Sequence, residues 1–358
     1  MEGFKISVLW LAIFVILIPS SYGVYMTRMM ANEEGGLSER SEWDLSTGSL
    51  QNKTVNCQFA TFQGHREYQE DRIVCDLDMK IPHLGKNGLG EGTVGVMAVF
   101  DGHIGEEASE MASKLLLDYF YMHALFNTSE LMEQYEGVPV TEDEITHLEI
   151  LKEALLRTIR DIDFKFSQAS RICSLLEAFE KRIFSGSTAT VALLVDGKIL
   201  IANVGDSKAL LCTKKIQSGQ GNLTASLSAT ELTENHSPGR DDERARVEAS
   251  GGIVVTLWGK PWVNAELPMS RAIGDVYQKR FGVIAEPEMT GWQTLDVNDR
   301  FLVVSSDGIF ESMTPQDVCD LIHDSSSCLP SSLLAECIVN TAFEKGSVDN
   351  LSVIVVPL

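Results

Sequence analysis

The chain has 358 residues, of which 44% are hydrophobic and 22% charged, and it carries a net charge of −22 at pH 7. That length can bury a large core in one domain or two, and the acidic balance excludes sequence-independent nucleic-acid binding, which runs on clustered Lys and Arg. Its seven cysteines, at 57, 75, 173, 212, 319, 328 and 337, are scattered without a Cys-x-x-Cys pair. This excludes a zinc ribbon and reads as buried thiols of a protein kept in a reducing compartment.

The first segment stands apart. Lys5 precedes an almost wholly apolar run, Ile6–Pro19, and Ser20-Ser21-Tyr22-Gly23 offers small residues for a cut after Gly23. That is the build of a signal peptide, yet Ser7–Met26 is also long enough to span a bilayer as a single anchor. Residues 1–26 therefore read as signal peptide or membrane anchor. Lys5 and Arg28 flank the run and leave its orientation unset. The free-thiol pattern places the rest of the chain on the cytosolic side of an anchor; a cleaved signal would place it in the secretory lumen. Asn-X-Ser/Thr triplets at Asn52, Asn127, Asn222, Asn235 and Asn350 matter only in the second case. Residues 27–56 are polar and Ser/Glu-rich and read as a linker, with one large domain over residues 57–358.

Within that domain Phe59–Gln63 and Arg72–Asp76 read as strands, Lys80–Gly92 as a Gly-rich connection, and Val94–Phe100 as a strand leading into the turn Asp101-Gly102-His103. Glu106 and Glu107 suit a helix N-terminus, and Ala108, Met111, Ala112, Leu115 and Tyr119 follow at helical spacing. Asn127–Glu144 reads as a polar insertion. Leu148, Leu151, Leu155, Ile159, Ile162 and Phe166 mark one face of a long helix. Asp196-Gly197 predicts a tight hairpin between Thr188–Val195 and Lys198–Val204. Gly205-Asp206-Ser207 then turns into Lys208–Thr213, as in an antiparallel meander, and Ile216–Leu227 reads as a polar tip. A helix over Arg240–Ala249, a strand at Phe301–Ser305, helices beginning at Thr314-Pro315 and Leu333, and a final strand Leu351–Val356 complete the pattern.

The acids are placed unusually. Glu70-Asp71, Asp101, Asp206, Asp307 and Asp349 all fall in turns at strand ends, beside Gly, Ser or Asn. Carboxylates converging from strand ends make a cage of hard oxygens, which suits magnesium or manganese better than zinc or copper. Two ions sharing one carboxylate lower the pKa of a water held between them, so no serine or cysteine nucleophile is required. Ser187 and Thr188 lack the His-Asp company of a nucleophile.

These residues sit in seven ordered motifs: Arg66–Arg72, Val99–Gly105, Ser185–Ala189, Ala202–Ser207, Ser270–Asp275, Ser305–Gly308 and Gly346–Asn350. In sequence and order they resemble the motifs of the PPM/PP2C family of metal-dependent protein Ser/Thr phosphatases, from about Cys57 to Leu358. The resemblance implies an α+β fold, a four-layer αββα sandwich with two central antiparallel sheets flanked by helices. It implies two Mg2+ or Mn2+ ions bridged by Asp101. Glu70 and the Gly102 carbonyl would complete one shell, and Asp307 and Asp349 the other. Asp206 with Asp307 would hold a looser third ion. Arg66 would bind the substrate phosphate, His103 would protonate the leaving oxygen, and Asp71 would orient water behind the ligands. Asp275 is read as structural, and Trp258 and Trp262 as packing residues, with partner docking as the second reading.

The implied partners are phosphorylated proteins met by a monomeric catalytic domain. Two other readings stay open: a membrane-tethered protein that docks a kinase or receptor, and a hydrolase of small phosphate esters. The chain departs from the family at Glu311, where Asp is usual, at Asn235-His236-Ser237-Pro238, and at Pro268. The added methylene at Glu311 bears on the third ion.

Overall fold

The computed structural model describes residues 45–51, 56–85, 88–134, 144–173, 184–219, 222–324 and 333–358. The apolar segment read as signal or anchor lies outside them, and among the described residues no helix is long and apolar enough to cross a membrane. Two antiparallel sheets form the centre. In the first, strands run in the order β1 (Leu45–Gln51), β2 (Asn56–Phe62), β17 (Leu351–Pro357), β16 (Asp299–Ser305), β9 (Lys208–Gly219) and β10 (Asn222–Glu231). In the second the order is β14 (Glu288–Met289), β8 (Lys198–Val204), β7 (Ala189–Val195), β4 (Gly88–Phe100) and β3 (Arg72–Gly85), with β15 (Gln293–Thr294) also on β8. Short strands β5 (Gly102–His103), β6 (Gly186–Ser187) and β13 (Ile273–Gly274) form a small sheet, and β11 (Val254–Leu257) pairs with β12 (Lys260–Val263).

Alternation along the strands builds the layers. In β4, Val94, Val96, Ala98 and Phe100 pack with helices α1 (Glu107–Gln134) and α2 (Glu144–Cys173). Met97 and Val99, on the opposite face, meet Leu302, Val304, Ile354 and Val356 of the first sheet. In β16, Val303 points the other way, toward α4 (Pro315–His323) and α5 (Leu334–Glu344). Both faces of each sheet are thus buried, which is why the strands read as near-continuous apolar runs. The result is the expected αββα sandwich.

Several sequence expectations hold in detail. The predicted face of α2 is buried from Leu148 to Phe166. The β7–β8 turn places Asp196 and Gly197 at φ 46° and 71°, as a two-residue hairpin requires. Thr314 caps α4: its side chain accepts from Asp317 N, and its backbone N–H donates to Asp317 Oδ2 at 2.7 Å. The helix α3 (Asp241–Ala249) begins one residue after Arg240.

Other expectations need correction. Leu45–Gln51, inside the expected linker, is a strand paired with β2; its Ser- and Gly-rich sequence carries no apolar alternation, and an edge strand needs little. Lys80–Gly92 is no loose connection: β3 and β4 run on as one long hairpin to Gly85↔Gly88, anchored by buried Ile81 and Val94. The polar tip at Ile216–Leu227 is likewise paired, down to Gly219↔Asn222. The first part of the expected insertion at Asn127 continues α1, where Thr128 Oγ1 donates to Ala124 O at 2.8 Å. Gly205-Asp206-Ser207 does not extend a meander but carries the chain from the second sheet to the first.

The thiols also depart from expectation. Cys57 on β2 is bonded to Cys75 on β3, Cys212 on β9 to Cys319 on α4, and Cys337 is disulfide-bonded as well. The pairs lie 18 and 107 residues apart in sequence but 6.7 and 5.6 Å apart at Cα, and such connectivity is invisible in spacing alone.

Candidate active site

Register brings the acidic turns to one end of the sandwich. Arg72 at the start of β3 pairs with Phe100 at the end of β4, and Val99 pairs with Thr190 at the start of β7. Ala189 faces Val204, Lys208 faces Ser305, Ser305 faces Val353, and Leu351 faces Phe62. The turns holding Glu70-Asp71, Asp101, Asp206, Asp307 and Asp349 therefore share an edge, although they lie as much as 279 residues apart (349 − 70).

The electrostatics confirm the gathering. Burial, and then the charges of Asp71, Asp307, Asp206 and Asp349, push the Asp101 carboxyl well above the ordinary carboxylate range. Asp307 is pushed to about 8 by burial and by Asp206 and Asp349, against a hydrogen bond with Asp101. Asp71 is raised to about 6 by burial. Ser352 and Ser306 lie near enough to oppose that shift, yet neither Asp71 oxygen meets a donor in hydrogen-bond geometry. Asp206 is raised by burial, with His103 and Lys260 pulling it down, and its Oδ1 is buried without a partner. Glu70 is raised by burial, while the Gly105 N–H that donates to its Oε1 at 2.7 Å lowers it.

The carboxylates thus crowd together with too little positive charge from the protein. Their donor set is hard oxygen, and three oxygens, both of Asp71 and one of Asp206, are buried and unsatisfied. That fits divalent magnesium or manganese. Among the described residues no three acid, imidazole or thiolate groups close on one point as a finished shell. A spaced set of this kind suits an ion that retains several waters.

The Asp101 turn is braced on both sides. Its N–H donates to Thr188 Oγ1 at 3.0 Å, and its carbonyl accepts from Thr188 N at 2.8 Å. Gly102 is required by close approach: a side-chain carbon there would stand 2.4 Å from the Glu70 carbonyl oxygen. His103 Nε2 lies 2.8 Å from Asp275 Oδ2. Burial alone would lower the His103 pKa, but the charge and hydrogen bond of Asp275, helped by Asp206 and Glu70, raise it overall. Gly186 leaves room for this pair, since a Cβ would fall 2.2 Å from Asp275 Oδ2 and 2.3 Å from His103 Nε2.

Arg66 is 55% exposed at the mouth, and its Nη2 donates to Asp349 Oδ2 at 2.6 Å. The loop bearing Arg66 and Glu70 is stitched by Asn350. Its Oδ1 accepts from Glu70 N at 2.8 Å, and its Nδ2 donates to Gln63 O and Tyr68 O at 2.7 and 2.9 Å. The sandwich architecture, the acid cluster and the order of these turns along the chain coincide with one family. Residues 55–351 match the family model described as Protein phosphatase 2C. The chain belongs to the protein phosphatase 2C family.

By enzyme class this phosphatase 2C chain is a protein serine/threonine phosphatase. It is 41% identical over 382 residues to "Probable protein phosphatase 2C 51" of Arabidopsis thaliana, covering 84% of this chain and 71% of the relative. It is 41% identical over 373 residues to "Putative protein phosphatase 2C 76" of Oryza sativa subsp. japonica, covering 84% and 73%. The solved serine-threonine phosphatase 2C of Toxoplasma gondii shares the fold at TM-score 0.67 and 20% identity, covering 88% of this chain and 99% of that one.

Sequence reasoning missed several residues of this phosphatase 2C site. Asp275, read as structural, partners His103. Asn350 and Thr188 are braces whose roles depend on contacts far along the chain. Glu311 does not reach toward the acids; its Oε2 accepts from Ser347 Oγ and Val348 N, both at 3.1 Å, and steadies the turn before Asp349. His236, in the departing Asn-His-Ser-Pro run, is buried, and its Nδ1 accepts from Gly205 N at 2.9 Å beside Asp206. Burial, then Arg271, lowers its pKa to about 4 and keeps it neutral. Trp258 is not a packing residue: it is 88% exposed at the β11–β12 turn, with Trp262 edge-on at 5.8 Å.

Proposed function

We propose that the chain hydrolyses phosphoserine and phosphothreonine in proteins with the help of divalent cations. The observation that carries this reading is the set of acids gathered at one edge of the two sheets, where burial and neighbouring carboxylates push Asp101 and Asp307 up, flanked by Arg66 and the His103–Asp275 pair. Asp101, Asp307 and Asp349, with Glu70 and the Gly102 carbonyl, would hold two ions, Mg2+ or Mn2+, with Asp101 shared. Asp206 beside Asp307 would serve a third. When bound, such ions supply Lewis-acid chemistry that activates water and offsets phosphate charge.

The remaining work belongs to the chain. Arg66 binds the substrate phosphate through N–H groups other than the one held by Asp349, in the planar geometry that suits a phosphate. Asp71, deeply buried behind the ligands, orients water. His103 delivers a proton to the departing serine or threonine oxygen. Asp275 occupies Nε2, so the proton leaves from Nδ1, which is buried without a partner. The acidic exterior favours substrates that are basic or locally neutral around the phosphate.

The test is phosphate release from a phosphothreonine peptide by the purified full chain, with and without Mn2+. Release that needs Mn2+ and disappears in Asp101→Asn supports the reading; release unchanged by chelation or by that substitution refutes it. Comparison with a sugar phosphate separates protein from small-ester hydrolysis.

A further inference from the structure

The cysteines carry an inference that no part of the catalytic reading requires. Cys57, Cys75, Cys212, Cys319 and Cys337 are the cysteines whose side chains are described, and every one is disulfide-bonded. Cys57 and Cys212 are fully buried, as is Cys319, so these are not incidental surface contacts. The two described bridges also have structural placement. Cys57–Cys75 joins β2 of the first sheet to β3 of the second, and the loop it encloses bears Arg66, Glu70 and Asp71. Cys212–Cys319 ties β9 to the outer helix α4.

We propose that this domain matures in the oxidising lumen of the secretory route, with Cys57–Cys75 and Cys212–Cys319 as permanent cross-links. Each bridge forms when a cysteine pair gives up two protons and two electrons to a disulfide-bearing oxidoreductase, whose own disulfide is reduced to a dithiol. Such bridges persist in oxidising compartments and are scarce where the thiol pool is kept reduced. The apolar stretch Ile6–Pro19 agrees with that route. The cytosol-facing expectation rested on free thiols and on the phosphorylated-protein substrates, and the pairing removes the first of these premises. Of the Asn-X-Ser/Thr triplets, those at Asn127 and Asn350 are buried in the fold, whereas Asn235 is exposed and Asn222 is the first residue of β10.

The experiment expresses the full chain in eukaryotic cells, quenches thiols with an alkylating reagent under denaturing lysis so that buried free thiols would react, and maps modified cysteines by peptide mass spectrometry before and after reduction. The expected result is no alkylation at 57, 75, 212 and 319 until reductant is added, together with a glycosidase-sensitive mobility shift that the combined substitutions Asn52→Gln, Asn222→Gln and Asn235→Gln remove. Alkylation of these cysteines without reduction overturns the proposal, and so does a chain whose mobility no glycosidase changes. Neither readout uses phosphatase activity, so its failure is distinct from failure of the catalytic reading.

Discussion

Asp307→Asn is expected to stabilise the cation-free protein at alkaline pH while destroying cation-dependent turnover. Folding raises the Asp307 carboxyl from its ordinary 3.8 to about 8, through burial and the neighbouring Asp206 and Asp349 charges. A raised carboxyl pKa stabilises the fold fully below the unfolded value, and that stability is lost as pH climbs through the folded value. At roughly 1.36 kcal/mol per unit, the shift amounts to about 5–6 kcal/mol in all, of which about 2 kcal/mol is lost between pH 6.5 and 9. The raised His103 acts in the same direction above its ordinary 6.5. The lowered His236 opposes it only between about 4 and 6.5, below that window, and the raised Asp101 adds to the loss, so the comparison with Asp307→Asn isolates the Asp307 share. The assay is urea unfolding in chelator across that window. Wild type should lose stability with pH, Asp307→Asn should lose about 2 kcal/mol less, and Mn2+ should restore wild type alone. A flat wild-type profile, or parallel slopes in the two proteins, would refute the charge-crowding argument.

Asp275→Asn should slow phosphothreonine-peptide turnover by about a hundredfold or more, the usual scale of general-acid assistance. It should slow p-nitrophenyl phosphate, whose leaving group needs no proton, by less than about tenfold; equal losses on both substrates would deny Asp275 a role through His103. Glu243 is fully buried, and although burial would raise its pKa, hydrogen bonds from Arg246, Arg271 and Ser270 hold it far below the carboxylate range. Glu243→Gln leaves Arg271 and Arg246 underpaired and should cost about 3–5 kcal/mol in denaturant unfolding. Thr314→Ala removes the α4 cap and should cost about 1 kcal/mol with turnover unchanged.

The ligand-type residues were legible because each sits in a short turn whose neighbours announce it: Asp101 before Gly102, Asp307 before Gly308, Asp349 before Asn350. The layers were legible from the apolar runs and from the face of α2. What supports the turns was not. Asn350 stitches Gln63, Tyr68 and Glu70 from 280 or more residues away, and Thr188 meets Asp101 across 87. Such contacts are fixed by strand register, which no local pattern encodes. The same applies to Cys57–Cys75, which pairs across the two sheets, and to Glu311, whose extra methylene is explained by the Val348 amide it reaches.

β17 is late in the sequence, yet it lies between β2 and β16 in the middle of its sheet. During synthesis β2 and β16 emerge first and cannot pair with each other; they must await a strand not yet made. Asp349 and Asn350 immediately precede that strand, so the acid edge closes in the same event that fills the sheet. A nascent or truncated chain lacking residues 346–357 therefore has neither a complete first sheet nor a complete site. Completion of the first sheet and completion of the acid edge are thus one event in the life of the chain.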